Sequence, residues 1–140
     1  MSQTPVNATE VSFTDINKDS FSGLEQAENL LIDNTSDWAE FWSKAYSTQT
    51  PKPELPEIDF SNKVVLAACM GSRNSGGYGI EILKTTMEGE TVYVDVVQVS
   101  PGINCLSTMA IIYPYHVIEL EKGSIKKAIF HVEERVNDCK

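Results

Sequence analysis

The chain has 140 residues, of which 41% are hydrophobic and 22% charged, values that fit one globular domain with a substantial core. Its formal net charge is −9, from 20 acidic and 11 basic residues, so nucleic acid and anionic membrane surfaces would be repelled as partners. No apolar run approaches the roughly 20 residues that a membrane-spanning helix needs.

The N-terminal segment predicts little regular structure before residue 9. Residues 1–8 are polar and contain a proline, so we expect a disordered lead-in. They lack the basic region and apolar core of a signal peptide, which leaves two alternatives, a cytoplasmic protein or one whose leader has been removed. Apolar and polar residues alternate within Glu10–Ile16, which weakly predicts a strand there. Residues 24–33 fit either a helical stripe or a strand, and we favour a strand over Asn29–Ile32.

One amphipathic helix follows. Thr35 or Ser36 is a suitable N-cap, and acidic side chains in the first turn suit the helix dipole. Apolar residues then recur at i, i+3, i+4 and i+7, which predicts one buried face formed by Trp38, Phe41, Trp42 and Ala45. Three prolines between residues 46 and 58 predict an extended loop after the helix.

The centre of the chain predicts a β-hairpin. The apolar run Val64–Met70 predicts a strand buried on both faces or in a sandwich core. The alternating segment Tyr78–Thr85 predicts a second strand. Because Gly71–Gly77 is polar and rich in glycine, we expect the chain to reverse there and the two strands to pair.

Short strands separated by turns predict the rest of the fold. The predicted strands are Thr91–Val99, Thr108–Ile112, Tyr115–Leu120 and Ile125–Val132. A polar tail is expected at 135–140. The fold class is therefore mainly β (α+β by content), an antiparallel β-sandwich or partial barrel with one amphipathic helix near the N-terminus. We expect a single β-rich domain over residues 9–134.

Cysteine and histidine give no pattern typical of a catalytic or metal site. Cys69 lies in an apolar run and is expected to be a small buried hydrophobe. Cys105 and Cys139 are able to pair in an oxidising compartment; the alternative is two free thiols. His116 and His131 lie on predicted strands without the spacing of a metal site. Since neither a nucleophile elbow nor a phosphate-binding loop is present, we predict no catalytic, metal or cofactor residues.

The glycine-rich segment is the strongest candidate for a contact with another protein. Exposed loops on a rigid β scaffold commonly carry binding, and the side chains of Arg73, Asn74 and Ser75 offer hydrogen-bond donors there. The alternative is that the glycines satisfy turn geometry and that the arginine is a solvated charge. The proposed binding residues are Arg73, Asn74, Ser75, Gly76, Gly77, Tyr78, Tyr113 and Tyr115.

Two neighbouring segments are expected to assist this loop. They are the loop Pro101–Ser107 and the corner at Tyr113–Tyr115. The alternative for the corner is that its proline ends a strand and its tyrosines pack in the core. If the loops share one end of a sandwich, they form a surface suited to holding a segment of a partner protein.

These residues carry a family resemblance. The sequence from residue 38 to residue 132 resembles the C-terminal domain of PrcB-type protease-complex subunits, above all in the block G-x-R-x-x-G-G-Y at 71–78. The matching residues are Asp59, Phe60, Ser61, Val64, Val65, Gly71, Arg73, Gly76, Gly77, Tyr78, Ile80 and Ile82, followed by Pro101-Gly102 and Pro114-Tyr115. The usual Pro-Thr before the glycines is replaced here by Asn74-Ser75.

The resemblance implies a non-enzymatic accessory protein of the bacterial envelope that binds a protein partner, such as a secreted protease. It implies a periplasmic, outer-membrane-anchored or extracellular location, with a lipid anchor carried on a removed leader. A fainter similarity links Asn74–Tyr78 to the inhibitory loop of chagasin-type cysteine-protease inhibitors, although the loop's proline is missing. The alternative function is therefore protease inhibition of that loop-binding type.

Overall fold

A computed structural model describes residues 8–106 and 109–138 of the chain. The described part contains one helix, α1 (Thr35–Ala45), between the third and fourth of eight strands. The strands are β1 (Thr9–Val11), β2 (Phe13–Asp19), β3 (Ala27–Ile32), β4 (Lys63–Met70), β5 (Gly79–Glu88), β6 (Thr91–Pro101), β7 (Tyr115–Glu121) and β8 (Lys127–Asn137).

The strands form two four-stranded sheets. One has the order β2-β7-β4-β3 and the other the order β1-β5-β6-β8. The predicted mainly β sandwich is confirmed, and the described residues close no barrel. One pair, β6 with β8, is parallel, which the prediction of an antiparallel sandwich missed. It is parallel because β7 carries the chain back through the other sheet, so that β8 runs in the same direction as β6.

The two sheets and the helix make three layers. On β4, Val65, Ala67 and Cys69 face the helix. The alternate residues Val64 and Leu66 face the second sheet. A strand that lies between two apolar layers needs no polar face, which explains the unbroken apolar run in the sequence.

The predicted hairpin between β4 and β5 is wrong. β4 pairs with β3 on one side and with β7 on the other, so neither of its edges is available to β5. β5 instead lies in the second sheet, between β1 and β6. The segment 71–78 therefore carries the chain from one sheet to the other.

Two further predictions about strands are corrected. The weak strand predicted over Glu10–Ile16 is divided at Ser12 between β1 and β2, which belong to different sheets. The strand predicted over Thr108–Ile112 is not formed by its described residues, of which only Ile112 makes an isolated bridge. Thr108 itself lies outside the described residues. Elsewhere, the preference for a strand before residue 33 is confirmed by β3.

The structure tests the predictions for the two ends of the chain only in part. The predicted lead-in lies outside the described residues except for Ala8. β8 continues to Asn137, five residues beyond the predicted end of the closing strand and into the segment expected to be a polar tail. The side chains of residues 133–137 are exposed, so this part of the strand has no apolar alternation that a sequence pattern would show.

The helix has the predicted buried face but a different cap. Trp38, Phe41, Trp42 and Ala45 are all buried, as predicted. The N-cap is Asn34, whose Oδ1 accepts a hydrogen bond from the backbone N–H of Asp37 at 2.8 Å. The prediction of Thr35 or Ser36 was therefore displaced by one or two residues. In the described part of the chain, no helix has the length and apolar character needed to cross a bilayer.

The loop after the helix is extended, as predicted, and closes over α1. The indole N–H of Trp38 donates to the carbonyl of Pro56 at 2.9 Å, and that of Trp42 donates to the carbonyl of Pro53 at 3.0 Å. Each buried indole donor is thus satisfied by the proline-rich segment. These two hydrogen bonds attach the proline-rich segment to α1 and so help to hold the helix layer in place.

Candidate functional site

Three connections meet at one end of the sandwich, which we call the loop end. They are residues 20–26, 71–78 and 102–114, which join β2 to β3, β4 to β5 and β6 to β7. Pairing places the strand ends there together: Asp19 lies opposite Tyr115, and Pro101 lies opposite Asn137. The segments that the sequence singled out therefore lie at the same end of the fold.

Backbone hydrogen bonds join these three connections. The N–H of Arg73 donates to the carbonyl of Ile112 at 2.9 Å, and the N–H of Ile112 donates to the carbonyl of Arg73 at 2.8 Å. The N–H of Tyr113 donates to the carbonyl of Ser20 at 2.7 Å. The loop end is thus a connected surface, because each connection is fixed to a neighbour through its main chain.

Gly71 allows the chain to leave β4 toward the loop end. Its φ is +78°, and a Cβ at this position would lie 2.8 Å from the backbone N of Ala27. Both the positive φ and the close approach favour glycine. The sequence indicated that any glycine of Gly71–Gly77 could adopt a positive φ, and among the described residues of this segment Gly71 does so.

The predicted contact residues at 73–78 are partly accessible. The guanidinium carbon of Arg73 lies 5.6 Å from the centroid of the Tyr78 ring, within the range of a cation–π interaction. Asn74 and Gly76 are exposed, and Ser75 and Gly77 are half-buried. The segment therefore presents a positioned cation, an aromatic ring and backbone groups along one stretch.

The two tyrosines of the predicted corner have different environments. Tyr113 is half-buried at the loop end. Tyr115 is only 1% exposed and lies in the layer beneath α1. Its hydroxyl lies 2.8 Å from the hydroxyl of Tyr46 and accepts a hydrogen bond from the side-chain amide of Asn17 at 2.8 Å. Burial raises the pKa of Tyr115 well above its usual range. Its side chain is part of the core and is not exposed at the loop end.

The sequence interpretation expected the loop Pro101–Ser107 to assist the contact but singled out no apolar side chain in it. Four strongly exposed apolar side chains lie in the connection 102–114, and three of them are the most exposed large apolar side chains in the described part of the chain. Their relative exposures are 98% for Ile103, 103% for Leu106, 100% for Met109 and 62% for Ile111. The strand predicted over Thr108–Ile112 would have placed Met109 and Ile111 in a sheet, so that prediction did not indicate their exposure. The signal present in the sequence was the absence of any charged residue between positions 101 and 118.

This apolar connection is attached to the fold near both ends. The N–H of Gly102 donates to the carbonyl of Asn137 at 2.8 Å, and a Cβ on Gly102 would lie 2.9 Å from that oxygen. Its other end is fixed by the paired backbones of Arg73 and Ile112. The exposed side chains are therefore presented on a segment whose ends have defined positions.

The cysteines differ in state. Cys105 is disulfide-bonded, whereas Cys69 is a free thiol and buried. Burial raises the pKa of the Cys69 thiol to about 12, which agrees with its predicted role as a small core residue. Cys139, the predicted partner of Cys105, lies outside the described residues.

The motif residue Asp59 has a structural role. Its carboxylate accepts hydrogen bonds from the backbone and hydroxyl of Ser61 at 3.1 and 2.5 Å and from the Asn62 amide at 2.8 Å. These bonds hold the pKa of Asp59 below its usual value. The D-F-S sequence thus forms the turn that leads into β4, away from the loop end.

The histidine on β7 also has a structural role. His116 is 2% exposed, and both of its ring nitrogens are hydrogen-bonded, one to the backbone of Ile82 and the other to Asp15.

Among the described residues, no group of three or more His, Cys, Asp or Glu side chains is arranged to hold a metal ion. The loop end presents apolar, guanidinium and backbone groups, which is chemistry suited to contact with a protein.

Comparison with known families and proteins agrees with the sequence resemblance. Residues 64–121 match the model of a family described as PrcB C-terminal, which confirms the resemblance to that family over β4 to β7. The matched stretch contains both the segment 71–78 and the apolar connection 102–114. Comparison with curated proteins and with solved structures found no match. The family suggests an accessory role associated with a protease complex, and such a role implies a protein partner.

Proposed function

We propose, from the match of residues 64–121 to the PrcB C-terminal family, that this protein is a non-enzymatic accessory subunit that binds a secreted protease. The loop end is the proposed contact surface. The location that accompanies this role is the bacterial envelope or the exterior, periplasmic, outer-membrane-anchored or extracellular, with any lipid anchor on a leader. The disulfide at Cys105 supports an oxidising compartment.

The observation that carries the proposal is the exposure of the apolar connection. Ile103, Leu106 and Met109 are each about as exposed as in an unfolded chain, at 98%, 103% and 100%. Covering one such side chain contributes roughly 1.5–3 kcal/mol, so a partner that covers several of them gains substantial binding free energy. Large exposed apolar patches are typical of protein-interaction sites, and several exposed apolar side chains within one short connection favour such a role.

The segment 71–78 supplies the polar edge of the proposed contact. Arg73 is paired through its backbone with Ile112, next to the exposed Ile111. Interfaces commonly combine an apolar centre with a polar rim, and arginine is enriched among the residues that dominate binding. We therefore assign affinity mainly to the apolar connection and specificity to the side chains of Arg73 and Asn74.

A capture experiment tests this function. The purified chain, immobilised, is incubated with an extract of the bacterial envelope, and recovered proteins are quantified by mass spectrometry. We expect the wild type to recover a protease, and the double variant Leu106→Asp/Met109→Asp to recover at least tenfold less. Leu83→Asp is the control for placing an aspartate at an exposed apolar position outside the loop end, since Leu83 is 46% exposed on β5, in the middle of a sheet. Equal recovery by the double variant, with native circular dichroism, would refute the loop end as the contact.

An enzyme assay distinguishes the accessory role from the alternative function, direct protease inhibition of the chagasin type. If the exposed Asn74–Tyr78 segment enters an active site, the chain slows a papain-like protease at micromolar concentration, and Asn74→Ala weakens that effect. An accessory subunit instead leaves the protease active in the complex. Stable capture without loss of peptidase activity supports the accessory role.

A further inference from the structure

The outer edge of β3 is open in the described structure. β3 pairs along its full length with β4, in the register from Ala27 with Met70 to Ile32 with Val65. It is the last strand of its sheet, and no described strand lies on its other side. Backbone groups at such an edge are available to pair with another extended chain.

A groove runs beside this edge, between β3 and α1. It consists of two adjoining cavities of about 220 and 270 Å³ that share Glu28 and Lys44 in their walls. Leu30, Ile32 and Phe41 form apolar surface in the first cavity. The second continues toward the start of β3, so the groove follows most of the strand.

The groove is strongly acidic. Its walls contain Glu25, Glu28, Asp37 and Glu40, against the single cation of Lys44. All four carboxylates belong to exposed residues. A long basic side chain suits this arrangement, because its aliphatic stem can cover the apolar surface while its charged end reaches a carboxylate.

The occupant is not expected to be a second copy of this chain. Each copy carries a net charge of −9, and charged residues along a sheet edge discourage association between identical edges. An extended segment of a partner protein with lysine or arginine at alternate positions fits the charge. Alternation matters because successive side chains of a strand point to opposite faces, so every second residue would enter the groove.

We propose that the β3 edge binds such a segment as an added strand, with backbone hydrogen bonds to β3 and basic side chains in the groove. Main-chain pairing supplies affinity in this mode, and the groove selects alternate side chains. Glu25, in the wall of the second cavity, belongs to the connection 20–26 of the loop end, whereas no described residue of the apolar connection 102–114 lines either cavity. The proposal does not depend on the function proposed above.

The test uses a synthetic peptide of alternating lysine and valine and the full-length protein. We expect it to bind at low salt, with affinity falling as salt rises, and to slow hydrogen exchange of β3 amides directed away from β4 at least tenfold. A peptide of alternating glutamate and valine is expected not to bind. The same lysine–valine peptide with methylated backbone nitrogens on its pairing edge is expected to bind at least tenfold more weakly.

Two pairs of variants that change the net charge equally distinguish the effect of the groove's carboxylates from the effect of net charge on peptide binding. Glu28→Lys/Glu40→Lys is expected to weaken peptide binding at least tenfold. Glu10→Lys/Glu88→Lys makes the same change in net charge at exposed positions on β1 and β5 and is expected to have less than a threefold effect. Equal weakening by both pairs would overturn the proposal, as would undiminished binding of the methylated peptide.

A dimer in solution that competes with the peptide would also overturn the proposal and assign the edge of β3 to a second copy of the chain. The loop-end variant Leu106→Asp/Met109→Asp should leave peptide binding unchanged, whichever way the capture experiment turns out.

Discussion

The imidazole Nδ1 of His116 on β7 accepts a hydrogen bond from the backbone N–H of Ile82 on β5 at 2.9 Å, across the two sheets. Its Nε2 lies 2.7 Å from a carboxylate oxygen of Asp15, which fixes Nε2–H as the donor. β1 pairs with β5 only over residues 85–87, so Ile82 has no partner strand on that side. A buried side chain thus satisfies the N–H that a longer β1 would have satisfied.

Replacing His116 with phenylalanine is expected to destabilise the fold. The substitution keeps a ring of similar shape but leaves the N–H of Ile82 without an acceptor, a loss of about 1–3 kcal/mol in the free energy of unfolding. Urea titration followed by circular dichroism measures it. Asp15→Ala, which removes an exposed partner, is expected to lose less than about 1 kcal/mol. Equal stability of His116→Phe and wild type would exclude an energetic role for the cross-sheet bond.

Gly71→Ala is expected to be more damaging than Gly79→Ala. At position 71 the backbone has φ of +78°, and a Cβ would lie 2.8 Å from the backbone N of Ala27. At Gly79 nothing lies within 4 Å of the added atom. A left-handed backbone alone disfavours alanine by about 1–2 kcal/mol. Thermal unfolding of both variants measures the difference, and similar melting temperatures would contradict the role assigned to Gly71.

Asn34→Ala is expected to destabilise the helix layer by about 1 kcal/mol, the usual effect of losing an N-cap. The reason is the hydrogen bond between the Asn34 side chain and the N–H of Asp37. Ser36→Ala, at the cap position suggested by the sequence, is expected to change stability by no more than about 0.5 kcal/mol. Chemical unfolding monitored by tryptophan fluorescence tests this, since Trp38 and Trp42 are on α1. The reverse order of effects would show that the helix begins later.

Asp59 is expected to contribute to the pH dependence of stability. Its pKa is lowered in the folded state because Ser61 and Asn62 donate hydrogen bonds to the carboxylate. A lowered pKa means that the contribution is present above the unfolded value, near 3.8, and is lost as pH falls through the lower folded value. Asp59→Asn should therefore be less stable than wild type at pH 7, with a flatter decline between about pH 5 and pH 2. Unfolding midpoints across that range test this, and parallel curves for the two proteins would argue against it.

The sequence predicted the helix face well and the pairing of the central strand poorly. Trp38, Phe41 and Trp42 could be placed because helical spacing depends only on neighbouring residues. The segment 71–78 has the composition of a turn whether the chain reverses within a sheet or passes between two sheets. The difference depends on β3 and β7, which occupy both edges of β4 and are distant in sequence.

The candidate site divides in the same way. Arg73 and Tyr78 were predicted from residues within a few positions of each other, and the structure finds them in contact at the loop end. Tyr115 was selected with Tyr113, but β7 turns its side chain toward the helix, where Tyr46 is its partner. Met109 was missed because an uncharged segment gives the same pattern when buried in a strand as when exposed in a loop. Leu106 lies in the loop that was expected to assist the contact, but no local pattern showed that its side chain is exposed.

The sequence by itself determined most of the element types and the family signature, since apolar periodicity and turn composition are local properties of the chain; the strand predicted over Thr108–Ile112 is an exception. It determined the buried face of α1 and the apolar character of β4 for the same reason. Only the tertiary structure decided which strands pair, which tyrosine is buried and which three connections meet at the loop end. Those outcomes depend on contacts between residues far apart in sequence, such as Arg73 with Ile112 and His116 with Ile82. Local sequence patterns do not predict such contacts.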